Sequence, residues 1–373
     1  MTRVAWFGYP ARSHTVPSLS LVREQVKRGA HITYYSTEKF RPSVEQTGAQ
    51  FVPYGSIDDS LVDPSGVEGP GSVVAHARRL ADAARLVMPE LMSSVGRPDL
   101  VVFDASAYWG GLIGRQMRTP SAAFVTTFAL TRAMLGLLGV LDNDVLDVLV
   151  PVADLKIVCT SRFLQPSGRF FDDSHVFVGP LLEHRPQEGV RIQPEGPRPL
   201  AYLSLGTIFN RDRELFRAIA ARLSAAGWQV AVSTGNAAGH DPEDWPPYVR
   251  AWPFVNQLAA LRLADLAVTH GGMGSISEIM ACGVPSIIHP RAADQFLVAR
   301  RAASLGAAVV VDDIEDFRGA WDAAIVRVRA ERSSMVAAAA RIAQSFSNVT
   351  PIGVAADRVL QLAGTTAIDA ILN

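Results

Sequence analysis

Short apolar runs alternate with amphipathic stretches along the whole chain, the arrangement expected of parallel strands covered on both faces by helices. In the first half, runs at residues 4–8, 32–35, 51–54, 100–103, 122–125 and 155–159 predict strands, and stretches 18–28, 73–92 and 110–117 predict helices between them. The alternation starts afresh in the second half, with strand 200–205, helix 213–226, strands 229–233 and 266–269, helix 275–282 and strand 286–289. Between the halves, residues 181–199 hold Pro186, Pro194, Pro197 and Pro199 and few apolar side chains, the composition of an exposed linker. The chain therefore reads as an α/β protein of two doubly wound domains, 1–185 and 200–352, joined by a linker at 186–199 and followed by a terminal segment at 353–373. Open parallel sheets bind ligands beyond the carboxyl ends of their strands, so two such domains facing across a cleft suit a reaction that joins two ligands. Residues 55–71, polar and rich in Gly and Pro, are expected to form a mobile loop.

Composition narrows the picture. With 373 residues, 49% of them hydrophobic and 19% charged, the chain is long and apolar enough for two cores, and disorder is excluded. Its 35 basic and 36 acidic residues are interspersed and leave a net charge of -1, so no basic field invites nucleic acid and an anionic ligand has to be held locally. Cys159 and Cys282 each sit in an apolar run and suggest neither a disulfide framework nor a metal site. The first apolar run is too short for a signal sequence or a membrane span, so a cytoplasmic location without membrane insertion is expected.

The chemistry concentrates at predicted strand ends. Thr269 through Glu278 follow a strand and open a helix, and Gly271, Gly272 and Gly274 let backbone amides approach a phosphate. There His270 can donate to a phosphoryl oxygen, Ser275 can add a hydroxyl, and Glu278, about one turn in, can accept from ribose hydroxyls. The same residues also suit an ordinary tight turn capped by Ser275 or Ser277, and the spacing is not that of the dinucleotide fingerprint. Thr207 ends the first strand of this half, where its hydroxyl and the neighbouring amides would face the same region. Trp252, Phe254 and Val255 lie in a segment with an aromatic surface for stacking a nucleobase, although a core aromatic beside a strand end reads equally well. Asp294 and Gln295 pair an acceptor with an amide that both accepts and donates, as recognition of vicinal sugar hydroxyls requires; Asp294 also suits a helix cap.

In the first half, His14 falls in the turn expected before the first long helix, and Asp104 stands just beyond strand 100–103. An imidazole there can act as a base near neutral pH, and a carboxylate beside it would orient the ring and stabilise imidazolium. Asp104 alone is also a plausible cap for the helix that follows.

Taken in order, these motifs resemble the inverting GT-B glycosyltransferases of family one, particularly the bacterial macrolide and natural-product transferases, over nearly the whole chain. His270 through Ser275 and Glu278, then Gly283-Val284-Pro285 and Asp294-Gln295, are similar to that family's nucleotide-sugar signature. The resemblance implies the GT-B fold, two Rossmann-like domains of which the first takes the acceptor and the second the nucleotide sugar, with the last helix crossing back onto the first. It implies that His270, Gly274 and Ser275 hold the pyrophosphate with help from Thr207, that Gly272 belongs to the same donor site, that Glu278 takes the ribose, and that Asp294 with Gln295 takes the donor sugar. His14 matches the family's base and Asp104 its partner. Two departures stand out: Ser13 replaces the usual Gly before that histidine, and where the family reads Trp-x-Pro-Gln, this chain puts Phe254 in the stacking place and Asn256 in that of Pro, leaving Trp252 as an alternative platform.

The resemblance further implies direct displacement with inversion, with UDP- or dTDP-sugar as donor, a small apolar aglycone as acceptor, and neither a cofactor nor a tightly bound metal. A homodimer stays open. The rivals are a nucleotide-sugar epimerase of the same fold and a catalytically silent partner of another transferase.

Overall fold

The computed structural model describes the chain apart from residues 59, 61–71, 138, 183–188, 207–211, 236–243, 293, 313–315 and 370–373. Thr207 and most of the loop expected at 55–71 lie outside the described residues, as does the start of the expected linker.

The chain divides into two compact units, one of Met1–Asp63, Gly71–Arg185 and Asn348–Asn373 and the other built on Pro186–Ser347. The first begins with β1 (Arg3–Phe7), α1 (Arg12–Lys27), β2 (His31–Ser36), α2 (Arg41–Glu45), β3 (Gln50–Pro53) and α3 (Ser72–Ser94). It continues through β4 (Leu100–Asp104), α4 (Trp109–Met117), β5 (Ser121–Val125), α5 (Arg132–Leu137), α6 (Asn143–Leu149), β6 (Leu155–Val158) and β7 (His175–Phe177). The second runs β8 (Leu200–Ser204), α7 (Arg213–Ala225), β9 (Gln229–Ser233), β10 (Val249–Trp252), α8 (Gln257–Leu261), β11 (Leu266–Thr269) and α9 (Met273–Ala281). It ends with β12 (Ser286–Ile288), α10 (Gln295–Ser304), β13 (Ala308–Val310) and α11 (Phe317–Ser345), after which α12 (Ile352–Asp369) belongs to the first unit.

Each unit holds one parallel sheet, of order β3-β2-β1-β4-β5-β6-β7 in the first and β10-β9-β8-β11-β12-β13 in the second. A parallel sheet needs cover on both faces, and the apolar runs supply it by alternation. In the first unit Trp6, Tyr34, Val102 and Phe124 face Leu21 and Val22 of α1 and Ala355, Ala356 and Val359 of α12. Their chain neighbours Phe7, Tyr35, Val101 and Phe103 point the other way, onto Leu80, Ala84 and Val87 of α3 and Trp109 and Ile113 of α4. Across the sheet Trp6 stacks on Tyr34 and Phe7 on Tyr35, with ring centroids 5.2 and 4.9 Å apart. In the second unit Leu203, Val232 and Val268 share a core with Phe216, Ile219 and Leu223 of α7 and with Trp321 and Ile325 of α11.

Several elements depart from the sequence reading. The first helix starts at Arg12 and takes in Pro17, whereas the expected start was residue 18. Pro17 is the sixth residue of this helix and removes the amide that would donate to Ser13 O, while the first turn is tied by His14 N and Thr15 N to Ala11 O at 3.0 and 2.9 Å. Strands β7, β10 and β13, of three, four and three residues, were not expected from the sequence. Of the segment read as an exposed linker, the described part is mostly exposed yet attached to the second unit: Ile192 is buried, and Val190 N donates to Phe254 O at 2.9 Å. Among the described residues no helix is long and apolar enough to cross a membrane.

Close packing of α4 on the sheet depends on small residues. A Cβ on Gly110 would stand 2.4 Å from Phe103 Cβ and 3.0 Å from Phe7 Cδ2. Gly110→Ala adds about 1 kcal/mol of helix propensity but overpacks a tight contact at about 1–3 kcal/mol, so the expected net result is a lower thermal midpoint. A raised midpoint by calorimetry would show that α4 can move away from β4 at no cost.

Burial also sets the acid limit of the fold. It pushes His76 and His270 down to about 4 from the ordinary 6.5, and lowers His289 and His175 as well. Between those values the unfolded chain binds more protons than the folded one. The stabilisation is therefore full above about pH 6.5 and is lost as pH falls toward about 4, a window above that of Asp99 and Asp172, which are held near 2 by their hydrogen bonds. Denaturant titrations should show stability dropping across this window, and replacing His76 and His270 together by neutral residues should flatten the drop.

Candidate active site

In the first sheet the strand order reverses between β1 and β4, so their carboxyl ends are where a ligand has room. The chain leaves β1, passes Tyr9, and enters α1, whose first turn carries His14. This corrects the sequence reading of His14 as part of the preceding turn: Ala11, in extended conformation, is the N-cap. Asp104 is the last residue of β4, one position further into the sheet than expected, and is 1% exposed.

His14 Nδ1 lies 3.0 Å from both Oδ1 and Oδ2 of Asp104 and 3.0 Å from Oγ1 of Thr126. Ser106 N donates to Asp104 Oδ1 at 2.8 Å and fixes the carboxylate. With its Nδ1 proton shared among these oxygens, a neutral His14 carries its basic lone pair on Nε2, and a proton gained there is balanced by Asp104. Tyr9, buried, presents its ring edge-on to the imidazole at a centroid distance of 4.8 Å. Thr126 and Tyr9 were not among the residues singled out from the sequence. The signal for Thr126 was available, since it follows β5 by one residue and so stands at a carboxyl end beside Asp104.

The second sheet reverses between β8 and β11. Gly206 follows β8 by two residues, and His270 follows β11 directly. Gly272 is the N-cap of α9 and offers no side-chain cap, so the amides of Met273, Gly274 and Ser275 begin the helix without one. The His270 imidazole is framed by glycines: a Cβ on Gly206 would stand 2.5 Å from Cε1, and one on Gly272 would stand 2.6 Å from Nε2. Gly206 also has a φ of +80°, which L side chains rarely adopt. Burial holds His270 down to about 4, so near neutrality it is an uncharged donor.

Further residues gather around this loop. Glu278, 3% exposed on α9, accepts from Gln257 Nε2 at 2.7 Å, and Gln257 Oε1 accepts from Tyr202 OH at 3.3 Å. Gln257 opens α8, whose N-cap Asn256 accepts from Ala259 N at 3.1 Å. The Asn that departs from the Trp-x-Pro-Gln pattern thus has a structural task, starting the helix that carries Gln257. Trp252, the last residue of β10, is half-buried, whereas Phe254 is 50% exposed and Val255 is buried. Two aromatic surfaces are therefore present in this segment, the larger on Phe254.

Asp294 occupies the N-cap position of α10 without a side-chain cap bond. Gln295 Oε1 accepts from Arg291 N and Ala292 N at 2.9 and 3.1 Å. Its carbonyl is thereby committed to its own loop, and its amide NH2 is what it can offer a ligand, a narrower role than the sequence suggested. A Cβ on Gly271 would meet Ile288 Cγ2 at 2.7 Å and Gln295 O at 3.3 Å, which places the His270 loop directly against the start of α10. The sequence-predicted residues therefore collect in two groups, His14 with Asp104 in the first unit and Trp252, Phe254, Val255, His270, Gly272, Gly274, Ser275, Glu278, Asp294 and Gln295 in the second. Among the described residues no group of three or more His, Cys, Asp or Glu could hold a metal ion.

Comparison with known proteins agrees with this layout. Residues 218–361 match the model of the erythromycin biosynthesis protein CIII-like C-terminal domain. The chain is 30% identical over 337 residues to the NDP-glycosyltransferase YjiC of Bacillus licheniformis, covering 81% of this chain and 83% of that protein. It is 29% identical over 341 residues to the oleandomycin glycosyltransferase of Streptomyces antibioticus, covering 82% and 78%. Among solved structures, the glycotransferase of kitacinnamycin superposes with a TM-score of 0.83 at 27% identity, over 97% of this chain and 99% of that one. The calicheamicin glycosyltransferase CalG4 follows this fold with a TM-score of 0.77 at 25% identity, over 98% of each chain. Two parallel sheets, each with its polar residues at the point where the strand order reverses, and relatives that match over four fifths of the chain, make this protein a member of the family-one GT-B glycosyltransferases that use nucleotide-activated sugars.

Proposed function

We propose that this glycosyltransferase moves a sugar from a UDP- or dTDP-sugar to a hydroxyl of a small apolar natural product, with inversion, and that His14 is the base. The observation that carries the reading is the His14–Asp104 pair at 3.0 Å. His14 Nε2 takes the acceptor's hydroxyl proton, the oxygen forms its bond to the anomeric carbon, and the bond from that carbon to the diphosphate breaks. The imidazolium is stabilised by Asp104, whose burial makes the attraction stronger than it would be in water. The departing nucleoside diphosphate is received by the neutral His270 and the first amides of α9, donors already in place before the charge develops. These donors are the reason for reading the reaction as independent of metal.

Further roles follow from the same geometry. Glu278, oriented by Gln257, suits the ribose hydroxyls, and Phe254 or Trp252 suits the base. Asp294 accepts from, and Gln295 donates to, the hydroxyls of the donor sugar. A natural-product acceptor is supported by relatives that are named for oleandomycin, kitacinnamycin and calicheamicin.

Calorimetric titration with UDP and with dTDP, in the absence of metal, tests the donor site. At least one should bind, and Gly206→Ala should abolish binding, because the new methyl would occupy the imidazole's place at a φ that alanine resists. Equal binding by the variant would remove His270 from the phosphate site.

Steady-state kinetics test the base. His14→Ala should lower kcat about 10²–10⁴-fold and leave nucleotide affinity unchanged. Asp104→Asn, which keeps the shape and removes the charge that balances imidazolium, should also lower kcat. Full activity of His14→Ala would end the assignment.

A further inference from the structure

His14 Nδ1 is met by oxygens from two neighbouring strands: both carboxylate oxygens of Asp104, the last residue of β4, and Oγ1 of Thr126, which follows β5 directly, each at 3.0 Å. The two kinds of oxygen are not equivalent. A carboxylate only accepts, whereas a hydroxyl can accept the Nδ1 proton or donate its own to a bare Nδ1. The second arrangement puts the ring proton on Nε2, where no lone pair is then left to take the acceptor's proton. Asp104 rules it out: beside a carboxylate Nδ1 keeps its proton, and the Thr126 hydroxyl accepts. The direction of the Thr126 bond is thus set by Asp104.

The segment that carries this hydroxyl is tied down on both sides of it. Val125 O accepts from Cys159 N at 2.9 Å, and Val125 and Ala129 both belong to the apolar cluster of Val158, Phe171 and Phe177. Gln165, fully buried, takes both backbone groups of Ala129: its Oε1 accepts from Ala129 N and its Nε2 donates to Ala129 O, each at 2.9 Å. The same Nε2 donates to Pro166 O at 3.1 Å. Thr126 itself is buried, so the chain leaving β5 presents its hydroxyl to His14 from a fixed place. When Nε2 gains a proton the ring becomes a cation, and hydrogen bonds from a charged donor are roughly twice as strong as neutral ones. The bond to Thr126 is therefore worth more after proton transfer than before it, which is the condition for an interaction to speed a reaction.

We propose that Thr126 is a positioning residue for the transfer: together with Asp104 it accepts from His14 Nδ1–H, keeps the lone pair on Nε2, and gains strength as His14 becomes imidazolium. The inference rests on His14 being the base. It adds a consequence that the His14–Asp104 pair alone does not have. Without the carboxylate the Thr126 hydroxyl turns round, donates to Nδ1, and holds the ring in the arrangement that cannot act as a base, so its contribution changes sign.

The test combines Thr126→Val, which keeps the shape and removes the hydroxyl, with Thr126→Ser, which keeps the hydroxyl, each made in the native chain and in Asp104→Ala. Turnover is followed with the nucleotide sugar selected by the calorimetry and a phenolic probe, 7-hydroxycoumarin. In parallel, nitrogen NMR of protein labelled in its histidines reads which ring nitrogen of His14 is protonated, the signal being assigned by its loss in His14→Ala; this needs no turnover. Thr126→Val should lower kcat about threefold to tenfold, the loss expected for one hydrogen bond, at an unchanged donor KM, and Thr126→Ser should restore it. In the Asp104→Ala background Thr126→Val should no longer lower kcat, and the share of His14 protonated at Nδ1 should rise relative to Asp104→Ala alone. Wild-type kcat in Thr126→Val would overturn the proposal, as would a Thr126→Ser variant equally impaired, or a loss by the same factor in both backgrounds, which is what a merely structural residue gives. A raised donor KM at unchanged kcat would also overturn it, by assigning the hydroxyl to the sugar. Should Asp104→Ala fail to fold, the Val and Ser pair in the native chain decides. Unimpaired turnover of His14→Ala defeats the base reading itself, whereas an inactive His14→Ala beside a fully active Thr126→Val defeats only the role of Thr126.

Discussion

A strand in a parallel sheet delivers its chain at one end only, and where the winding reverses, two neighbouring strands send their chains to opposite faces. In the first unit α1 leaves β1 for the face of Trp6 and Tyr34, while α4 leaves β4 for the face of Phe7 and Phe103. The space between the departing chains has no backbone to fill it, and side chains at the two strand ends turn toward each other across it. His14 and Asp104, 90 residues apart in sequence, meet there because β1 and β4 are neighbours. Reversal between β8 and β11 does the same for Gly206 and His270. The polar chemistry of both units hangs on this one topological feature.

The two units use an imidazole in opposite ways. His14 sits beside a buried carboxylate, an environment that favours the ring when it carries a proton. His270 is enclosed by glycines, and burial keeps it neutral, with no carboxylate hydrogen-bonded to it among the described residues. In the proposed reaction the first has to accept a proton and the second has to donate a hydrogen bond to an anion that the amides of α9 also receive. A neutral donor avoids the cost of burying a cation during the time the site stands without ligand.

Absence of side chains is as specific here as their presence. Gly206 and Gly272 leave the volume that the His270 ring occupies, Gly271 lets the loop lie against α10, and Gly110 brings α4 close to the strand whose last residue is Asp104. Polar groups near these glycines are spent on the scaffold as well as on ligand. Gln295 gives its carbonyl to the turn that positions it, and Asn256 starts the helix that brings Gln257 to Glu278.

The sequence by itself determined what depends on near neighbours. The buried strands β4 and β5 are legible as unbroken apolar runs, and the run from Thr269 to Glu278 announces a strand, a glycine turn and a helix in order. Through its resemblance it also indicated the family and the sheet architecture. The short strands β7, β10 and β13 escaped it, although β12, equally short, did not, and the start of α1 escaped it because Pro17 looks like a boundary. Tertiary structure alone decided which distant groups share a hydrogen bond: Thr126 with His14 and Gln257 with Glu278. Those pairings follow from strand order and helix placement, which are set by how two whole faces of a sheet are covered, and no local pattern of residues encodes them.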